Sequence, residues 1–279
     1  MRILLGAISL NSFGGSETWT KTVYDKLKQS HYVEVFSPKG YAAYPEMTVA
    51  DPEREYDIAF ISHRTTYKTL KHFKIKKRIV VIHGVIPKEE RPSIGADAYV
   101  AVSEEIAEKY SNLNPTVIRN PINTRLFKPL QPLNKTIHNV LFVSNYKSGV
   151  KGLIERVCKK HELNFYSVGG KKHQVKDMVS RLNWADLVIG LGRSAYEGMA
   201  CGRNVIIFDY NGADGFATPK RLLEFRKNNC SGRRYKKAFT KEDLWLAMHQ
   251  YSRDSGEKMR AYIVKNNSVE KIAEQLLSV

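Results

Sequence analysis

Short apolar runs rich in β-branched residues alternate along the chain with segments of helical period. In the first half, runs at 2–9, 32–36, 57–62, 78–83, 98–102 and 116–118 predict strands, and patterns at 16–29, 66–73 and 103–110 predict helices between them. Val80-Val81-Ile82 is apolar without alternation, which predicts burial on both faces and hence a parallel sheet covered by helices. Ser103, followed by Glu104 and Glu105, supplies the hydroxyl and the acids of a helix start. Pro121, Pro129 and Pro132 then interrupt the pattern and predict a linker. Beyond them the alternation resumes, with strands at 139–144, 164–168, 187–191 and 205–209 and helices at 150–160, 175–182 and 194–201. The remainder from Thr218 reads as helices closing with 268–277. The pattern predicts an α/β protein of two facing Rossmann-like domains with parallel sheets and a C-terminal helix. The N-terminal domain is expected over 1–130 and the C-terminal domain over 131–279.

The 279 residues suffice for two cores of that size, and 42% hydrophobic with 26% charged residues is ordinary for a globular chain. The net charge of +17 changes the picture. It predicts a positive field that attracts nucleic acid, an anionic membrane face or a multiply phosphorylated ligand; a solubility effect is the plain alternative. Cys158, Cys201 and Cys230 are scattered, with no CxxC and no Cys/His cluster, so neither a zinc site nor a disulfide framework is expected and a cytoplasmic location fits. The opening Met1–Ile8 reads as a buried strand, because no cleavage site follows its short apolar run. No apolar run approaches the ~18 residues that would span a bilayer.

Four segments carry candidate chemistry, all at strand-to-helix junctions, where open parallel sheets bind ligands. In Asn11–Thr18, Gly14 and Gly15 let a ligand approach the backbone at a helix start, although such a pair is equally an ordinary turn. In Gly190–Val205, a strand runs through Gly190-Leu191-Gly192 into a helix expected to begin at Ser194. The amides of Gly192, Arg193 and Ser194, with the helix dipole, are expected to face a diphosphate, and Arg193 adds a fork of donors. Glu197, one turn on, is placed to accept from two ribose hydroxyls; the plain alternative is a capped core helix. His83-Gly84 puts a titratable group at a strand end, where a structural histidine is the commoner case. In Asn145–Gly152, Lys147 and Lys151 are candidates to neutralise phosphate, against solvated positions.

Taken together these segments resemble the family 4 group of GT-B glycosyltransferases over Pro121–Val279, with weaker agreement over Arg2–Pro129. The matching stretches are Gly14–Glu17, His83-Gly84, Ala101–Glu104, Val117–Asn123 through Phe127–Pro129, Val150–Gly152, Tyr196–Gly202 and Val269–Glu274. The resemblance implies transfer of a sugar from a nucleotide-diphosphate donor, a UDP-sugar first among them, with retention, in a metal-independent site and with no other cofactor. It implies that Glu197 holds the donor ribose and that Gly192, Arg193, Ser194 and Lys151 hold the diphosphate. His83 and Gly15 then lie near the transferred sugar, His83 and Glu197 being the catalytic candidates. Two positions depart from the family pattern: Ile189 stands where a second glutamate is usual, and Asn145 where an arginine is usual, with Lys147 as a substitute. The donor sugar and the stereochemical course stay open on that account.

The acceptor is expected to be polyanionic. Basic residues peak at Lys68–Arg78, with Lys68 and Lys71 on one helix face and the rest expected in a following loop. Lys171-Lys172 and Arg233–Lys237 add clusters. Glu17, Lys68 and Lys71 are the acceptor-binding candidates, with Tyr67, Phe73 and Tyr235 as stacking or core aromatics. DNA carrying a hydroxymethylated base is favoured over a lipid-linked acceptor at an anionic membrane, to which a peripheral enzyme would dock. A non-catalytic binding protein on the same scaffold, and a sugar-nucleotide epimerase, are the readings outside this class.

Overall fold

The apolar runs of the first half form six strands in a computed structural model that describes residues 1–86, 90–146, 148–170, 175 and 177–279. These are β1 (Arg2–Gly6), β2 (Tyr32–Phe36), β3 (Glu55–Ser62), β4 (Lys74–Ile82), β5 (Ala98–Ala101) and β6 (Thr116–Val117). They pair in parallel in the order β2-β1-β3-β4-β5-β6. Successive side chains of a strand point to opposite faces, and Ile3, Leu4 and Leu5 are all fully buried, so both faces of this sheet are covered. The helices between the strands are α1 (Gly15–Leu27), α2 (Arg64–Thr69) and α3 (Glu104–Lys109). α2 starts two residues before the predicted helix and gives way to a 3-10 turn at Leu70–His72.

The second sheet holds β7 (Asn139–Val143), β8 (Asn164–Val168), β9 (Leu187–Gly190), β10 (Asn204–Asp209) and β11 (Gly212–Phe216), in the order β11-β10-β9-β7-β8. Four of the five are parallel, and β11 runs antiparallel to β10. That edge strand corrects the all-parallel expectation. Its sequence, Gly-Ala-Asp-Gly-Phe, has no β-branched residue, and its two glycines sit at φ +114 and +98, so hydrophobic pattern does not announce it. Around this sheet lie α4 (Val150–Lys160), α5 (Met178–Trp184), α6 (Gly192–Ala200), α7 (Pro219–Phe225), α8 (Lys241–Met248) and α9 (Arg253–Asn267); α10 (Val269–Leu277) follows.

The chain divides into one unit of Met1–Pro121 with Val269–Val279, and another of Ile122–Ser268. The crossing therefore falls at Pro121/Ile122, earlier than the expected 130/131, and α10 returns to the first unit. The proline-rich stretch is docked on the second unit instead of hanging free. Asn183 accepts the Leu130 amide at 2.8 Å and donates to the Lys128 carbonyl at 3.1 Å. Arg203, 2% exposed, donates to the Gln131 carbonyl at 2.7 Å, and Arg260 donates to Phe127 and Thr124. α10 leaves because its apolar stripe, Ile272, Ala273 and Leu276, belongs to the first core alongside Trp19 and Val23. Among the described residues no helix is long and apolar enough to cross a membrane.

Candidate functional site

In the second unit, β9 lies between β10 and β7, and Leu187–Gly190 are buried throughout. Gly190 sits in a crowded spot, since a Cβ there would lie 3.0 Å from the Val143 carbonyl oxygen. Leu191 is extended, and α6 begins at Gly192, two residues earlier than the sequence pattern predicts. Gly192 has φ +55, and its amide donates to the Cys230 carbonyl at 2.8 Å. The amide expected for a diphosphate is thus already engaged; what Gly192 supplies is the left-handed turn that swings the strand into the helix. No side chain caps α6, so its first turn keeps the anion-attracting character of an uncapped helix start, with Ser194 in that turn.

One turn further, Arg193 Nε donates to Glu197 Oε1 at 2.7 Å, with side-chain exposures of only 9% and 8%. Burial pushes the Glu197 carboxyl up, and the charge and hydrogen bond of Arg193 act against that rise. The sequence placed both residues on a donor but did not predict that they hold each other. Gly198 follows in close contact with the sheet, since a Cβ would stand 3.3 Å from three atoms of Val188. Ile189, at the departure from the family pattern, is fully buried in the sheet core.

Lys151 is exposed in the first turn of α4, after β7. β7 and β9 are adjacent and parallel, so Lys151 and the start of α6 share the carboxyl edge of the sheet. Lys147 lies outside the described residues, as do Lys171 and Lys172. Asp209, at the carboxyl end of β10, was not singled out by sequence. It accepts Ser144 Oγ at 2.5 Å and Ser148 Oγ at 3.2 Å, tying down the β7–α4 connection. Burial raises its carboxyl, against the bonds from Ser144, the Tyr210 amide and Ser148. Beside it the exposed rings of Tyr146 and Tyr210 lie 4.0 Å apart.

In the first unit, the β1–α1 connection ends at Gly14, where a Cβ would stand 2.4 Å from the Glu17 carboxylate. Glu17 folds back over the helix start and accepts from Ser16 Oγ at 3.0 Å and Ser12 Oγ at 3.5 Å. Gly15 is exposed, with open space where its side chain would be. His83, just past β4, shares a 2.8 Å hydrogen bond between Nε2 and Ser62 Oγ and meets the Trp19 ring edge-on.

Two residues that sequence reading passed over complete this cluster. Glu90 accepts the His83 amide through Oε2 at 3.2 Å, and its Oε1 lies 3.5 Å from His63 Nε2. His63 holds φ +70, its side chain is 6% exposed, and its Nδ1 is buried without a partner among the described residues. A left-handed non-glycine backbone beside a buried nitrogen of this kind makes His63 a candidate functional position. The available signal was positional: like His83, His63 directly follows a strand.

Lys68 and Lys71 are exposed on α2 and the turn after it. The remaining basic run is not a loop. Lys74, Lys76, Lys77 and Arg78 lie within β4, at its amino end, because alternation with Ile75 carries them into the sheet. Lys76 pairs with Glu55 and Asp57, both at 3.1 Å, Lys74 with Glu53 at 3.9 Å, and Lys77 donates to the Val279 carbonyl. Tyr67 and Phe73 pack into the core, and Tyr235 is exposed.

Neither a protein-family model nor a curated protein sequence matches the chain. Among solved structures, the chain is similar to an alpha-glucosyltransferase in complex with UDP and a 13-mer DNA containing a central A:G mismatch. The two are 13% identical, with a TM-score of 0.66 over 100% of this chain and 99% of that one. A glycosylation-associated protein (Gap123) complex from Streptococcus agalactiae is 14% identical over 76% of this chain and 54% of that one, at a TM-score of 0.33 too low to bear on the fold. The first likeness establishes the GT-B glycosyltransferase fold.

Proposed function

We propose that this chain is a glycosyltransferase that moves a sugar from a UDP-sugar to DNA carrying a hydroxymethylated base. The observation that carries the reading is the Arg193–Glu197 pair, buried at the uncapped start of α6 on the carboxyl edge of the sheet. An uncapped helix start of this kind attracts anions, and the structural neighbour is in complex with UDP and DNA, which supports a diphosphate at this position. In this reading Arg193, Ser194 and Lys151 neutralise the leaving diphosphate, while Glu197 offers its second oxygen, Oε2, to the ribose. Gly192 shapes the turn. The bond from the sugar's anomeric carbon to the diphosphate breaks, the acceptor hydroxyl oxygen bonds to that carbon, and its proton departs. His83, braced by Ser62 and Glu90, stands in the first unit as the group near that hydroxyl, with Gly15 and Glu17 at the neighbouring helix start. Retention and independence from metal belong to the same reading, and the net charge of +17 favours a polyanionic acceptor.

The test is incubation with UDP-hexoses and duplex DNA containing hydroxymethylcytosine. Release of UDP and a gain of one hexose on the DNA, lost in Glu197→Ala and His83→Ala proteins that remain folded, is the expected result. Tight UDP binding with no turnover of any donor would replace the enzyme by a binding protein on the same scaffold. Transfer to a lipid-linked acceptor but never to DNA would move the acceptor to the membrane.

A further inference from the structure

The first unit contains a cavity of about 500 Å³ whose lining is strongly one-sided in charge. Arg64, Lys68 and Lys71 reach it from α2 and the turn after it, at the spacing of one helix face. Arg91 and Lys109 reach it from two other segments. None of the described lining residues is a carboxylate, and none of the five cations is ion-paired with a described residue. Five like charges converging on one concavity repel one another unless an anion joins them. The contrast with the next stretch of the same basic run is direct: Lys74 and Lys76 are neutralised by Glu53, Glu55 and Asp57. Among the described residues, one half of the run is paired with carboxylates and the other half faces the cavity without them.

The neutral lining points the same way. Ser93 is buried, and its Oγ has no partner among the described residues. Tyr67 is fixed as a wall by its hydroxyl bond to the Gly95 carbonyl at 2.7 Å. Ile94, 82% exposed, stands beside the cations as an apolar surface. Arg64 directly follows His63 and Arg91 directly follows Glu90, so the cavity adjoins the histidine cluster.

We infer that this cavity is the groove that holds the phosphodiester backbone of the acceptor nucleic acid beside His83, with Ser93 donating to a phosphate oxygen. The inference rests on the proposed function for the acceptor class and adds the site. Phosphate contacts set register and supply most of the affinity, and each one removed lowers the salt dependence of binding.

The full chain is titrated with fluorescent duplex DNA between about 50 and 200 mM salt, beside a Lys68→Ala/Lys71→Ala/Arg91→Ala variant and a Lys74→Ala/Lys76→Ala control. The groove variant is expected to bind at least about tenfold more weakly, with a log–log salt slope lower by about 2 to 3, at unchanged Tm. The control keeps the parent slope. A groove variant that keeps the parent affinity and slope overturns the assignment. So does a variant that keeps DNA binding but loses binding to phosphatidylserine vesicles, which would make the face a membrane contact. A thermal shift with UDP, run on the same proteins, separates this from the donor reading: loss of DNA binding with no UDP shift in the parent keeps the groove and sinks the transferase.

Discussion

Glu90 Oε1 stands 3.5 Å from His63 Nε2, so a largely buried carboxylate faces a histidine whose backbone is held at φ +70. Burial alone would lift the Glu90 carboxyl, but its hydrogen bond with His63 and the nearby charge of His83 and His63 outweigh it, and the group sits below its ordinary 4.5. A carboxyl depressed in the fold contributes stability that is present above its unfolded value and lost as pH falls through its folded one. Glu90→Gln is expected to be less stable than the parent at neutral pH, with the gap closing as pH drops below 4.5. Tm measured against pH checks this; parallel curves through the acid range would show that the carboxylate is not held by the histidines.

The Arg193–Glu197 pair has a structural share that activity alone does not separate. Removing one member of a buried ion pair strands the other, so Glu197→Ala is expected to cost about 3–5 kcal/mol by urea unfolding. Arg193→Met/Glu197→Leu removes both charges and fills similar volume, and is expected to be clearly more stable than the single variant. Both proteins should lose the UDP thermal shift. A double variant as unstable as the sum of its singles would mean that the two side chains do not act as a pair.

Much of the fold is written in hydrophobic runs, because a doubly covered parallel strand such as Ile79–Ile82 can hardly be anything else. β11 escapes that signal: its glycines pair with β10 through backbone geometry, and Asp214 falls at the shift in register between them. The unit boundary escapes because proline density reports a rigid extended path and not what the path lies against; the docking donors, Asn183 and Arg203, come from far along the chain. At the site, glycines and strand-end position marked Gly192, Glu197 and His83. Long-range partners, such as Glu90 for His63 or Ser144 for Asp209, depend on loop paths that no local pattern encodes.

Two glycines at the carboxyl edge of the second sheet differ in why they are glycine. Gly192 has φ +55, but a Cβ there would meet Asn229 only at 3.7 Å, an ordinary contact. Gly192→Ala is therefore expected to cost only the backbone strain, about 1–2 kcal/mol. Gly169 has φ +112, and its Cβ would fall 2.2 Å from the Ser144 carbonyl oxygen, so the β7 and β8 ends must separate. Gly169→Ala is expected to lower the denaturation midpoint well beyond Gly192→Ala. Equal effects would mean that the strand ends yield freely.

Arg203 is one of three side chains, with Asn183 and Arg260, that donate to the stretch following Ile122 and hold it to the second unit. Its guanidinium donates to the carbonyls of Cys201 at 2.8 Å, Gln131 at 2.7 Å and Ala185 at 3.3 Å. Burial lowers its affinity for the proton, and the nearby Cys201 and Asp186 partly restore it. Arg203→Met keeps the apolar bulk but leaves several buried carbonyls without a donor, each costing about 1–3 kcal/mol. The variant is expected to unfold at lower urea and to expose Lys128 to trypsin before the rest of the chain is cut. Arg203→Lys, with a single point of charge in place of a planar fork, should fall between the two. If Arg203→Met keeps both the parent midpoint and the parent cleavage pattern, then Asn183 and Arg260 suffice to hold the stretch, and the buried guanidinium is dispensable to it.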